Sequence, residues 1–202
     1  MARPRTFEID DVLDRAMLTF WEKGYEGTSL ADLLEATELS KSSLYETFGN
    51  KRKLFIRTID HFRATRLTQI EAVLDGRLSA IDGIRKLLTM QGEHSRPTNA
   101  RQGCYLGKCA VDCAPRDTDV TKRVDAGMST IRSLFAREVE RGQAAGEISN
   151  QPNAASVGEL LTATFYGLQV MSSAGASRPM IARTIESVLE SIAAPRNSAQ
   201  VR

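Results

Sequence analysis

Cys104, Cys109 and Cys113 carry the most reactive side chains of this 202-residue chain, and all three fall within one short segment. Their spacing is C-x4-C-x3-C. On a helix, Cys109 and Cys113 share a face, and Cys104 lies about 140° around the axis from Cys109. The set is a poor zinc site, because no CxxC pair is present and His94 is the only histidine nearby. A disulfide inside one regular helix conflicts with the geometry of the bond. Two readings stay open. The cysteines are small hydrophobes that fill a helical body, or Cys104 lines a pocket and reacts with an electrophile or oxidant. In the second reading Lys108, one turn further on, lowers the thiol's pKa. A thiol enzyme built on Cys104 would need a base. His61 and His94 are the only imidazoles, and neither stands in a recognisable Cys-His arrangement. No catalytic residue, metal or cofactor is therefore expected, and the chain is not read as an enzyme.

A second kind of chemistry is written between Thr28 and Leu54, TSLADLLEATELSKSSLYETFGNKRKL. Thr28 is an N-cap residue type, and Leu30, Leu33 and Leu34 follow at helical spacing. The pattern breaks at Thr37-Glu38. Ser40 can cap a second short helix on which Leu44 and Phe48 are four apart. Gly49 ends it in the left-handed region, and Asn50 can cap the next helix. Two short helices joined by a tight turn form the unit whose second helix enters the DNA major groove. Lys41, Ser42, Ser43, Glu46 and Thr47 are left facing outward, short or polar enough to approach base edges.

The run from Phe7 to Phe62 resembles the DNA-binding domain of TetR/AcrR-type transcriptional regulators. The residues that carry the resemblance are Leu13, Ala16, Phe20, Gly24-Tyr25, Thr28-Ser29, Ser40-Lys41, Leu44-Tyr45, Phe48, Lys51 and Leu54-Phe55. The chain departs from the family pattern at Thr37-Glu38, where the turn often carries glycine. The resemblance implies an all-α protein: a three-helix helix-turn-helix DNA-binding domain, and a larger C-terminal helical domain for ligand sensing and dimerisation. It implies a DNA-binding regulator, a repressor by family majority, that binds a palindromic operator as a homodimer and is released by a small-molecule or electrophilic effector. Carried over position by position, Lys41, Ser42 and Ser43 come within reach of base edges, with Thr47 a weaker candidate. Thr28, Ser29, Tyr45 and Lys51 match positions that hold phosphates. Capping for Thr28 and packing for Tyr45 are compatible alternatives. The GC-Y-L segment at Gly103 also resembles a subgroup of the family with reactive-cysteine sensors. A constitutive DNA-binding protein without effector remains the alternative within the same fold.

Composition sets the bounds. Apolar residues make up 42% of the chain, enough for a real core, and no run approaches the ~18 apolar residues of a membrane span. The start, MARPRTFEID, has no signal-peptide core, and three crowded cysteines are not a secreted disulfide framework. A cytoplasmic protein without membrane contact is expected. The net charge is only +2, so the distribution matters more. Lys41, Lys51, Arg52, Lys53, Arg57, Arg63 and Arg66 face only Glu46 and Asp60 over the same stretch, a local excess that attracts phosphate. For Arg57, Arg63 and Arg66 the plainer reading is solvation of a long helix. Arg3 and Arg5 lie on an arm that can reach a minor groove.

The elements that must position these residues follow from periodicity. A first helix runs from about Phe7 to Lys23 and stops at Gly24. A long helix runs from Asn50 to about Asp75, joining the DNA-binding part to the rest so that rotation can be transmitted. A helix spans about Ser79 to Gln91, followed by a polar loop, Glu93 to Gln102. Asp117 or Asp119 caps a helix whose stripe is Val120, Val124, Met128, Ile131, Phe135 and Val139. Two last helices cover about Asn153–Ser173 and Ser177–Ala193; in the family this pair packs against its copy in a second subunit. Tyr105 and Phe165 are candidate pocket residues beside Cys104 and Cys109. The expected domains are 1–50 for DNA, 51–195 for effector and dimer, and a tail over 196–202.

Overall fold

The computed structural model describes residues 7–92 and 103–195. The arm with Arg3 and Arg5, the segment holding His94, and the tail 196–202 lie outside the described residues. Among the described residues there are nine α-helices and no strand: α1 (Ile9–Gly27), α2 (Leu30–Thr37), α3 (Lys41–Phe48), α4 (Lys51–Val73), α5 (Ala80–Gly92), α6 (Tyr105–Asp112), α7 (Thr118–Ala144), α8 (Ala154–Ser173) and α9 (Arg178–Ile192). A 3-10 turn, Ala114–Arg116, precedes α7. The all-α fold is as the sequence implied.

The chain divides into two compact units. The first holds residues up to 67 together with 105–127. Its core is Leu13, Phe20, Leu33, Leu44, Leu54 and Ile59, each 5% exposed or less. The 3.6-residue period of α1 and α4 brings their aromatic rings to one side, where they meet α6. Phe20 and Phe55 have centroids 5.0 Å apart, and Tyr25 and Phe55 4.7 Å. Tyr105 from α6 sits 5.7 Å from Trp21 and 5.6 Å from Phe62. The start of α7 is tied to α4 by charge: Arg123 Nε donates to both Asp60 carboxylate oxygens at 3.0 Å.

The second unit holds residues 68–104 and 128 onward. Here α5 packs on α8 and α9, around Ile84, Leu88, Phe135, Val139, Leu161, Leu168, Ile185 and Leu189. Of the stripe on α7, Ile131, Phe135 and Val139 are buried in this unit and Val120 and Val124 in the first, as the spacing predicts, while Met128 is half-buried. Gly158 allows α8 to approach α7 closely: a Cβ there would lie 3.0 Å from the Ala136 backbone nitrogen. Two buried amides, Gln91 and Gln169, hydrogen-bond to each other and so avoid an unmet polar group. An apolar seam of about 160 Å³, lined by Ile70, Leu87, Ile131, Leu134, Phe135 and Phe165, has no room for a water molecule. No described helix is long and apolar enough to cross a membrane.

Candidate nucleic-acid interface

The interface is built from hydrogen bonds between near neighbours. Gly24, at φ 74°, breaks the end of α1 where the sequence expects a stop, and one further turn follows. Ser29, not Thr28, is the N-cap of α2. Its Oγ accepts from the Asp32 N–H at 3.1 Å, and the Ser29 N–H donates to Asp32 Oδ2 at 2.7 Å, a complete capping box. Lys23 Nζ reaches Asp32 Oδ1 at 2.5 Å. That bond first, and the Ser29 hydroxyl and N–H next, hold the Asp32 carboxyl well below the usual carboxylate range. Thr28 is 1% exposed and donates its hydroxyl to the Gly24 carbonyl at 2.6 Å. Its side chain closes the α1–α2 corner, a packing role in place of the expected cap, while Ser29 stays exposed.

The turn solves its geometry without glycine. Glu38 takes the left-handed conformation, φ 56°, the only described non-glycine residue to do so. Ser40 then caps α3, accepting from the Ser43 N–H at 3.1 Å. Its hydroxyl also lies 2.9 Å from those of Ser42 and Ser43. Leu44 and Phe48 are buried beneath α3. Lys41, Ser42 and Glu46 are exposed, whereas Ser43, Tyr45 and Thr47 are half-buried. Gly49 closes the helix at φ 84°, its N–H on the Tyr45 carbonyl, and Asn50 Oδ1 accepts the Lys53 N–H at 2.8 Å. The caps thus fall where the residue types predict, apart from the shift from Thr28 to Ser29.

Charge is more selective than the sequence suggests. Lys51 Nζ stands 4.5 Å over the Tyr25 ring, at the edge of the same surface, and Lys41 Nζ is 6.0 Å from the Tyr45 ring. Arg52 is turned away from that role: its guanidinium holds Asp117 through two bonds of 2.9 Å and Asp119 at 2.7 Å. Asp117 also caps α7 through the Asp119 and Val120 N–H groups. Arg63 lies 3.6 Å from Asp60. Sequence reasoning missed the Arg52 pairings, which join residues more than sixty positions apart, and no local signal marks them.

The effector candidates separate. Tyr105 is 1% exposed in the first unit, and burial pushes its phenol well above the usual range. Phe165 is 3% exposed in the second unit, so the two do not line one site within a unit. Cys109 is buried on α6. Cys113 lies just past that helix, half-buried, and burial raises its thiol pKa. Cys104 is half-buried, immediately before α6. Lys108 Nζ is 3.3 Å from Asp112, a carboxylate on its own helix. No group of His, Cys, Asp or Glu among the described residues can hold a metal ion. His61 faces α1, with Nε2 3.1 Å from Asp14.

Comparison with known proteins agrees at both ends of the chain. The model "Bacterial regulatory proteins, tetR family" matches residues 12–58, and "Tetracyclin repressor-like, C-terminal domain" matches 80–188. The repressor ComR of Escherichia coli is 31% identical over 183 residues, covering 87% of this chain and 84% of its own. The uncharacterised regulator YezE of Bacillus subtilis is 28% identical over 151 residues, 75% of this chain and 78% of its own. A cysteine mutant of the TetR-family regulator CifR, solved with a 26-bp double-strand operator DNA, superposes with a TM-score of 0.81. It is 31% identical, over 93% of this chain and 98% of its own. This protein belongs to the TetR family and is a DNA-binding transcriptional regulator.

Proposed function

We propose that the protein is a repressor that binds a palindromic operator as a homodimer and leaves it when an effector acts on the C-terminal helices. The observation that carries the DNA side of this reading is α3. It is an eight-residue helix, capped at both ends and seated on Leu44 and Phe48, with Lys41 and Ser42 exposed at its N-terminal end. Free N–H groups and the helix dipole favour phosphate there. Lys41, Ser42 and Ser43 are assigned to base edges, with Thr47 at the margin. Ser29, Tyr45 and Lys51 are assigned to phosphates, and Thr28 supports them from the corner it buries. ComR is named a repressor, which is the ground for that sign of control. In this reading residues 1–50 bind DNA and 51–195 serve effector and dimer.

Dimer formation is supported by apolar surface on the last two helices. Leu160, Val170 and Met180 are 45%, 70% and 46% exposed. Leu160 and Met180 border a shallow groove with Thr184 and Val188. Helix-turn-helix dimers read half-sites about one DNA turn apart, roughly 34–36 Å, and that is the operator spacing this reading expects. On the effector side, Cys104 is the cysteine to test, since Cys109 is buried and burial disfavours the Cys113 thiolate. A site in the cytoplasm, without enzymatic turnover, fits this role.

The experiment is binding of the reduced protein to DNA from upstream of its own gene, titrated with peroxide or N-ethylmaleimide. Loss of binding that disappears in Cys104→Ser establishes a thiol effector site. Loss that persists in that variant, or no loss, moves the search to non-covalent ligands. A protein that binds no DNA even at low salt overturns the reading.

A further inference from the structure

Arg57 reads in the sequence as one of several cations that solvate the outside of a long helix. In the structure it is half-buried against the end of α3. Its guanidinium carbon lies 4.8 Å from the centroid of the Phe48 ring. Nη1 points at the Thr47 carbonyl oxygen at 3.5 Å, a long hydrogen bond. Thr47 and Phe48 are the last two residues of α3. The final carbonyls of a helix have no partner within it, and the helix dipole leaves that end negative, so a cation there answers both. A charge over a ring adds an attraction that a solvating arginine lacks.

The setting makes this contact consequential. An eight-residue helix has little stability of its own, so its direction depends on what grips each end. The N-terminal end is gripped by Ser40. The C-terminal end has Gly49, which permits the chain to turn but supplies no side chain. Arg52 and Arg63 face carboxylates instead, and Lys51 lies over Tyr25. Arg57 is thus the described arginine that reaches both the backbone and a buried ring of α3.

We propose that Arg57 is a positioning residue for DNA recognition, clamping the C-terminal end of α3 through Phe48 and the Thr47 carbonyl without touching DNA itself. The inference rests on α3 being the recognition helix. Loosening the clamp lets α3 pivot about its capped end, which misaligns base contacts more than the general attraction of backbone phosphates. Affinity for the operator therefore falls more than affinity for unrelated DNA.

The test compares wild type, Arg57→Met and Arg57→Lys in the full chain, on operator and on unrelated duplex, across a salt series. Arg57→Met keeps a stem over Phe48 but loses charge and donor. It should weaken operator binding roughly five- to twentyfold, the range expected for losing a cation–ring contact and a charged hydrogen bond together. The slope of log affinity against log salt should stay as in wild type. Arg57→Lys, which keeps a cation over the ring, should recover much of the loss. A slope that falls by about 0.9 for each lost contact would identify Arg57 as a phosphate ligand and overturn the proposal. Unchanged operator affinity in Arg57→Met, or an equal loss on both DNAs, also overturns it. Should Arg57→Met fail to fold by circular dichroism, Arg57→Lys and Arg57→Gln decide by the same ratio and slope. Ser42→Ala run in parallel isolates the underlying reading: if neither it nor Lys41→Ala affects operator binding, α3 is not the reading helix and both ideas fall together.

Discussion

Replacing Thr58 by valine should destabilise the protein more than replacing Tyr105 by phenylalanine, although each removes one end of the same hydrogen bond. The two hydroxyls are 2.7 Å apart, at residues 0% and 1% exposed. Thr58 Oγ1 already donates its only hydrogen to the Phe55 carbonyl, also at 2.7 Å. Tyr105 is therefore the donor of the shared bond. Tyr105→Phe leaves a threonine whose hydrogen is still satisfied and bares only a lone pair, a loss of about 1 kcal/mol. Thr58→Val keeps the volume but strands a buried phenolic O–H, which costs about 1–3 kcal/mol. Cys109 sulfur, a weak acceptor beside the phenol, draws that toward about 2 kcal/mol. The ring contacts with Trp21, Phe55 and Phe62 are untouched by either change. Trp21 is the only tryptophan and lies 5.7 Å from the Tyr105 ring, so its fluorescence reports this core during urea or thermal unfolding. At 2–4 °C per kcal/mol for a chain of this size, the midpoints should order as wild type, Tyr105→Phe, Thr58→Val. The double variant should fall near Tyr105→Phe, because the stranded donor is gone. Equal single effects, or a double variant that adds both, would refute the assignment of donor and acceptor.

Three further outcomes follow from the first unit and the α7–α8 contact. Asp32 has its folded pKa held below the unfolded value by Lys23 and Ser29. Its contribution to stability is present above about pH 4 and fades as pH falls through that value toward the folded one. Asp32→Asn should flatten the acid limb of the stability curve, and an acid limb identical to wild type would count against the pairing. Glu38 sits at φ 56°, so Glu38→Gly should stabilise the protein by up to about 1 kcal/mol, read as a raised or level melting temperature, while Glu38→Val lowers it. The ion pair with Arg15, exposed on both sides, adds little to oppose this. Gly158→Ala should destabilise by about 1–3 kcal/mol despite the better helix propensity of alanine, because the new Cβ would meet Ala136 backbone that cannot swing aside. A higher melting temperature would show that α7 and α8 separate easily.

What the sequence by itself determined lies within a few residues of chain. Ser40 and Asn50 cap their helices, Asn153 and Ser177 do the same for α8 and α9, and Gly49 ends α3. Each is a bond or a backbone angle set by residues three or four apart, so residue type and spacing suffice. The apolar stripe of α7 was legible for the same reason, since helical pitch alone brings Val120 through Val139 to one face. What the tertiary structure decided is everything that needs a distant partner. Ser29 took the cap from Thr28 because Lys23 on α1 steadies Asp32 and the Thr28 hydroxyl turns inward to Gly24. Arg52 left the phosphate-attracting set for Asp117, and Arg57 left the solvating set for Phe48. Tyr105 and Phe165, alike in the sequence as aromatic residues near the cysteines or on a late helix, entered the cores of different units. Composition counts a cation or a ring without its neighbours. Burial and ion pairing depend on which surfaces the folded chain brings within a few ångströms, and only packing settles that.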